Sequence, residues 1–155
     1  MSGMKKLIGI GIMALTLSTT CVPVFASQPN IGVSTVNPGI ETRSTSKPEF
    51  TETFDISMQG RYNFAGEALH EDLYTNYNLM GCTSYKVKVK NLDKEKKLTV
   101  IVYKNPKIGF DSKLKTITIN AGSEKTFNVD NLDTSERVYI KFETPCKFEG
   151  WIDQA

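Results

Sequence analysis

Imidazole is almost absent from this chain: of 155 residues only His70 is a histidine, and only Trp151 is a tryptophan. Zinc sites and catalytic dyads built on two imidazoles are thereby excluded, and any histidine-dependent chemistry has to run through His70. The sequence holds no Gly-x-Ser-x-Gly elbow, no His-Glu-x-x-His helix and no phosphate-cradling glycine loop. Glu71-Asp72 beside His70 is the one acidic cluster near aromatic residues, and it lacks the Asp-x-Asp-x-Asp-Gly spacing of a calcium loop. No catalytic residue, metal site or cofactor is expected.

Long apolar runs are also missing. The one sustained run, residues 7–17, stops at Ser18-Thr19-Thr20, well short of the roughly 20 residues a spanning helix needs. It has the parts of an export signal instead: Lys5 and Lys6 ahead of it and Val24-Phe25-Ala26 as a small-x-small cleavage box behind it. Cleavage after Ala26 leaves Ser27 first. Cys21 raises lipidation as an alternative, but the residues before it, Leu17-Ser18-Thr19-Thr20, set Leu one place too far back. The expectation is a signal peptide over 1–26 and a freely secreted, extracellular product with no integral membrane segment.

Charge of one sign is lacking once that segment leaves. Loss of Lys5 and Lys6 takes the basic count from 19 to 17, against 17 acidic residues. A neutral chain offers no general attraction to nucleic acid or to an anionic membrane, and nucleic acid is excluded as a partner. Cysteine is scarce as well, with three in all, and Cys82 and Cys146 remain after Cys21 is removed. In an oxidising compartment these two are expected to form a disulfide, which would stabilise the fold by about 4 kcal/mol. Two buried thiols or an intermolecular bridge are the alternatives.

What is present is period two. Residues 27–48 carry no aromatic residue and no sustained period, and read as a flexible polar leader. From 49 to 155 one domain is expected. Tyr85, Val87 and Val89 share one face of a strand and Lys86, Lys88 and Lys90 the other. Residues 98–103 are apolar on both faces, as in a central strand. Further strands are expected over 54–58, 114–119, 126–129, 138–142 and 147–152. Ala65, Ala68, Leu69 and Leu73 sit at helical spacing and allow a short helix. Val89-Lys90-Asn91-Leu92-Asp93 recurs as Val129-Asp130-Asn131-Leu132-Asp133, in each case a strand, a loop whose Leu plugs the core and a returning strand. The fold class is all-β, a single antiparallel β-sandwich of six to eight strands.

Binding is the expected function. Tyr74 and Tyr77 with Asn76 and Asn78, expected in a loop at one end of the sandwich and joined by Trp151, offer flat rings and amide donors suited to a glycan or an extracellular protein. A second surface is the lysine face of Lys86, Lys88 and Lys90, joined by Lys141 and Arg137 if their strands are neighbours; it suits a polyanion, or else protects an exposed strand. A protease inhibitor is a rival reading, through residues 105–112 or 74–78, and a small extracellular hydrolase using His70 or Glu71 is a further one.

Segments reading Leu73-Tyr74-Thr75-Asn76, Thr83-Ser84-Tyr85-x-Val87-x-Val89 and Phe148-x-Gly150-x-Ile152 make the chain similar to small secreted β-sandwich proteins of Gram-positive, clostridial-type bacteria. The resemblance covers about residues 50–152. It implies a bacterial exported sandwich and brings no active-site residue with it.

Overall fold

The computed structural model describes residues 44–155. The signal peptide expected over 1–26, and most of the leader expected over 27–48, lie outside the described residues. The elements in chain order are β1 (Thr53–Asp55), α1 (Ile56–Gln59), β2 (Tyr62–Ala68), β3 (Leu73–Tyr74), β4 (Asn78–Met80) and β5 (Tyr85–Asn91). They are followed by β6 (Leu98–Lys104), β7 (Ser112–Ile119), β8 (Glu124–Val129), β9 (Val138–Phe142) and β10 (Cys146–Gln154).

The strands form a sandwich of two sheets. One has the order β1-β4-β9-β6-β7 with β3 also on β9, and the other the order β2-β10-β5-β8. Every pairing is antiparallel except β1 with β4. The strands exceed the expected six to eight because β1, β3 and β4 are fragments of two or three residues each. Alternation explains the long ones. β5 buries Tyr85, Val87 and Val89 and turns its lysines outward, and β6, apolar on both faces, lies between β9 and β7.

The core is aromatic at its centre. Phe142 of β9 stacks on Phe148 of β10 with centroids 3.8 Å apart, and Phe64 of β2 packs against both at 5.4 and 6.1 Å. Gly150 makes room for this. It lies opposite Phe64 in register, and a Cβ there would sit 2.6 Å from the Phe64 ring and 2.2 Å from the Lys88 carbonyl oxygen.

Several expectations are corrected. No helix forms over 65–73; β2 runs to Ala68 and β3 begins at Leu73 with a bend between, because Tyr62, Phe64 and Ala68 alternate into the core and β2 pairs with β10 along its whole length. The strand expected over 54–58 ends at Asp55, whose carboxylate accepts from the Met58 N–H and caps the single turn α1. The two Val-x-Asn-Leu-Asp segments do not lead into returning strands of one sheet. Each crosses from one sheet to the other, β5 to β6 and β8 to β9. Leu132 is buried in the core and Leu92 half-buried. Asp93 and Asp133 play the same local part, each accepting from the backbone N–H two residues on.

The disulfide is corrected as well. Cys82 and Cys146 are both free and buried. The Cys82 N–H donates to the Tyr85 hydroxyl, beside the Gln154 end of β10, whereas Cys146 opens that strand at its other end opposite Ala68. At about 3.3 Å per residue the length of β10 keeps them roughly 20 Å apart, and a disulfide needs Cα atoms within about 7 Å. Burial pushes the Cys146 thiol up to about 11, and burial, with Asp55 and Asp153 adding, raises that of Cys82.

Two outcomes are expected. Digestion without reductant after alkylation under denaturing conditions yields the Cys82 and Cys146 peptides separately, each alkylated; a cross-linked peptide pair would restore the disulfide. Gly150→Ala lowers the unfolding free energy by about 3 kcal/mol, measured by urea denaturation, because neither a neighbouring backbone nor a packed ring can retreat from the new methyl group.

Candidate binding surfaces

The four residues 74, 76, 77 and 78 do not form a loop at an end of the sandwich. Leu73–Tyr74 and Asn78–Met80 are strands along β9, and Thr75 between them continues the contact. The Thr75 N–H donates to the Ile140 carbonyl oxygen at 2.9 Å, and the Ile140 N–H donates back to Thr75 Oγ1 at 3.1 Å.

The two tyrosines consequently part company. Tyr74 lies 6.1 Å from Tyr139, which in turn stacks on Tyr103 at 5.3 Å, forming a row on the outer face of the sheet. Tyr77 turns instead to Phe54 at 6.3 Å and the core residue Tyr62 at 6.5 Å. The half-buried Asn76 donates its N–H to the Tyr62 hydroxyl. Asn78 is fully buried, its amide donating to the Glu49 and Glu52 carbonyl oxygens at 2.7 and 3.0 Å. Trp151 sits in the other sheet, half-buried under the Arg61 guanidinium at 4.2 Å, in register with Lys88 and Asn63. One platform of Tyr74, Tyr77 and Trp151 is not assembled.

The lysine surface is also divided. Lys88 and Lys90 pair with Glu124 and Glu149 at 2.9 and 3.3 Å. Lys141 is in the opposite sheet, bound to Asp72 at 2.7 Å, and Arg137 lies over the Phe50 ring at 3.6 Å. The expected neighbourhood fails because β9 and β5 belong to different sheets. His70 and Glu71 are exposed on the connection from β2 to β3. Among the described residues no group of three or more His, Cys, Asp and Glu side chains is placed to hold a metal ion.

Asp72 is tied into the fold. It accepts from the Thr144 N–H at 2.9 Å as well as pairing with Lys141. Partial burial opposes its ionisation, but Lys141 and the Thr144 N–H prevail and hold its carboxyl below the usual carboxylate range.

Met58 and Leu69 stand exposed singly, whereas the β6–β7 loop leaves two strongly exposed apolar side chains close together. Its stem is fixed on both sides. The Asn105 amide, itself buried, donates to Asn78 Oδ1 at 2.9 Å and to the Pro48 carbonyl oxygen at 3.3 Å. At the other side Asp111 accepts from the Tyr139 hydroxyl at 2.9 Å and pairs with Lys47 at 2.6 Å. Burial, with Asp111 next, drives the Tyr139 phenol far above its ordinary range, so it stays a proton donor. Residues 44–48, expected as part of the flexible leader, thus take part in the fold at this point, and Ser44 accepts from the Tyr74 N–H.

Between the two anchors Gly109 adopts a φ of +104°, and Ile108 and Phe110 stand 89% and 97% exposed. Sequence reasoning marked 105–112 as an exposed loop and passed over these two side chains. The available signal was an Ile-Gly-Phe run inside a connection bounded by Pro106 and Asp111.

No protein-family model matches the chain, and no curated protein matches it.

Asp72→Asn is expected to lower stability by about 1 kcal/mol at pH 7. Because the folded-state pKa is the depressed one, the contribution is complete above the unfolded value of about 4 and fades as pH falls through the folded value. Urea denaturation of both proteins should show the gap at pH 7 closing in acid; a gap independent of pH would refute the ionic assignment.

Proposed function

We propose that this protein is a secreted, non-enzymatic binding module that engages its partner through the β6–β7 loop. The observation that carries the reading is the exposure of Ile108 and Phe110 on a stem held by buried hydrogen bonds. Scattered single apolar residues on a surface are ordinary; two at the tip of one anchored loop mark a contact. A rigid stem also limits the ordering cost of association. Lys86, Lys88 and Lys90 and the Tyr74 row are left as surface features of the strands that carry them.

The extracellular setting is drawn from residues 1–26, and the bacterial one from the resemblance of residues 50–152. The loop is the centre of the reading in place of Tyr74 and Tyr77, which lie along β9 and turn to different neighbours.

A second reading has the same observation behind it. An exposed aromatic side chain on a braced loop is the form in which an inhibitor fills a protease cleft, and Phe110 fits an enzyme that prefers large apolar residues.

Ile108→Ser combined with Phe110→Ser is expected to leave the melting temperature within about 2 °C, since both side chains are already in water. The same variant should weaken retention on cell-wall, cell-membrane and secreted-protein fractions by about tenfold or more, while Tyr74→Ala retains it. Unchanged retention in the double variant would refute the loop assignment. Nanomolar inhibition of a chymotrypsin-like protease, lost with Phe110→Ser, would move the second reading ahead of the first.

A further inference from the structure

We infer that the β6–β7 tip docks on an anionic lipid surface, Ile108 and Phe110 entering the acyl boundary while Lys107 and Lys113 lie at the level of the phosphates. The inference rests on the proposal that this loop is the anchor.

Charge is the first argument. Residues 104–115 carry Lys104, Lys107, Lys113 and Lys115 against Asp111 alone. Asp111 is already bound by Lys47 and Tyr139, and Lys104 by Glu136. Lys115 donates to the Asn128 carbonyl oxygen. Lys107 and Lys113 have no carboxylate partner among the described residues. Two uncompensated cations therefore flank the apolar pair, in a chain that is otherwise close to neutral. Each such lysine near an anionic membrane strengthens binding by about fivefold.

Shape is the second. Ile108 and Phe110 at 89% and 97% exposure rest on almost nothing of their own molecule. Fluid hydrocarbon accepts them in any rotamer and needs no matching surface. The tip is turned at Gly109 and braced behind by Asn105 and Asp111, so it can enter an interface without loosening the strands. Two side chains bury too little for lasting insertion on their own. The contact is consequently reversible and depends on both the apolar pair and the cations, as two-signal membrane attachment does.

The test uses protein beginning at Ser27, which keeps every described residue and removes the apolar segment 7–17. Trp151 would mask a new indole, so Phe110→Trp is made together with Trp151→Phe. Mixed phosphatidylglycerol–phosphatidylcholine vesicles should shift the emission of the introduced indole to the blue, and brominated acyl chains should quench it. Pure phosphatidylcholine vesicles should do neither. In co-sedimentation, Ile108→Ser with Phe110→Ser should weaken binding by about tenfold or more, and Lys107→Ser with Lys113→Ser by a similar factor. No blue shift with anionic vesicles overturns the inference, and so does equal binding to both vesicle types. If vesicles fail but the double serine variant still loses retention on a protein or glycan fraction, the partner is that macromolecule and the loop remains the anchor. If the double serine variant changes nothing anywhere, both readings fall.

Discussion

The stacked contact of Phe142 on Phe148 joins the two strands through which nearly all others are connected. Phe142 belongs to β9, which pairs with β3, β4 and β6; Phe148 belongs to β10, which pairs with β2 and β5. The remaining strands, β1, β7 and β8, each hang on one of these partners. The contact holds its geometry because Phe64 closes over it and because Gly150 has no side chain to push Phe64 away. Protein interiors pack to crystal-like density, where a single added methyl group is felt, and at Gly150 it would meet the Phe64 ring and the Lys88 carbonyl oxygen.

A smaller polar junction governs the region proposed to bind. Asn78 and Asn105, both buried, share a hydrogen bond and between them satisfy the carbonyl oxygens of Pro48, Glu49 and Glu52. Buried amides without partners would cost several kcal/mol, so the arrangement is stable only as a complete set. It ties three separate pieces of chain together: the entry segment, the β4 edge and the root of the β6–β7 loop. The sandwich supplies stiffness, and this junction transfers it to the loop.

How far the fold was legible depended on whether a signal was local. The alternation of Tyr85, Val87 and Val89, and the doubly apolar β6, located those strands because one strand's pattern is enough to show which face is buried. β2 stays undecided in the sequence because Ala65, Ala68, Leu69 and Leu73 happen to fall at helical spacing, while the inward residues Tyr62 and Phe64 lie outside that set. Pairing with β10 then decided in favour of the strand. The disulfide failed for a related reason: compartment bears on whether thiols oxidise and is silent on whether they meet. The site was the least legible part. Asn78 looks like a solvated turn residue and becomes a buried junction only through Asn105, 27 positions away. Ile108 and Phe110 read as ordinary apolar residues until the fold leaves them uncovered.

The route by which the polypeptide enters the sandwich has a mechanical consequence. Residues 44–48 are stitched to the molecule through Ser44 on Tyr74, Lys47 on Asp111 and Pro48 on Asn105, contacts far fewer than the ladder of any long strand. Tension on the chain upstream would peel this seam before it unzipped a sheet. Two of the three stitches are supports of the β6–β7 loop, so a load too small to unfold the domain would already loosen that loop. The entry segment thus couples whatever is attached upstream to the stiffness of the loop, as a drawstring is coupled to the mouth of a bag.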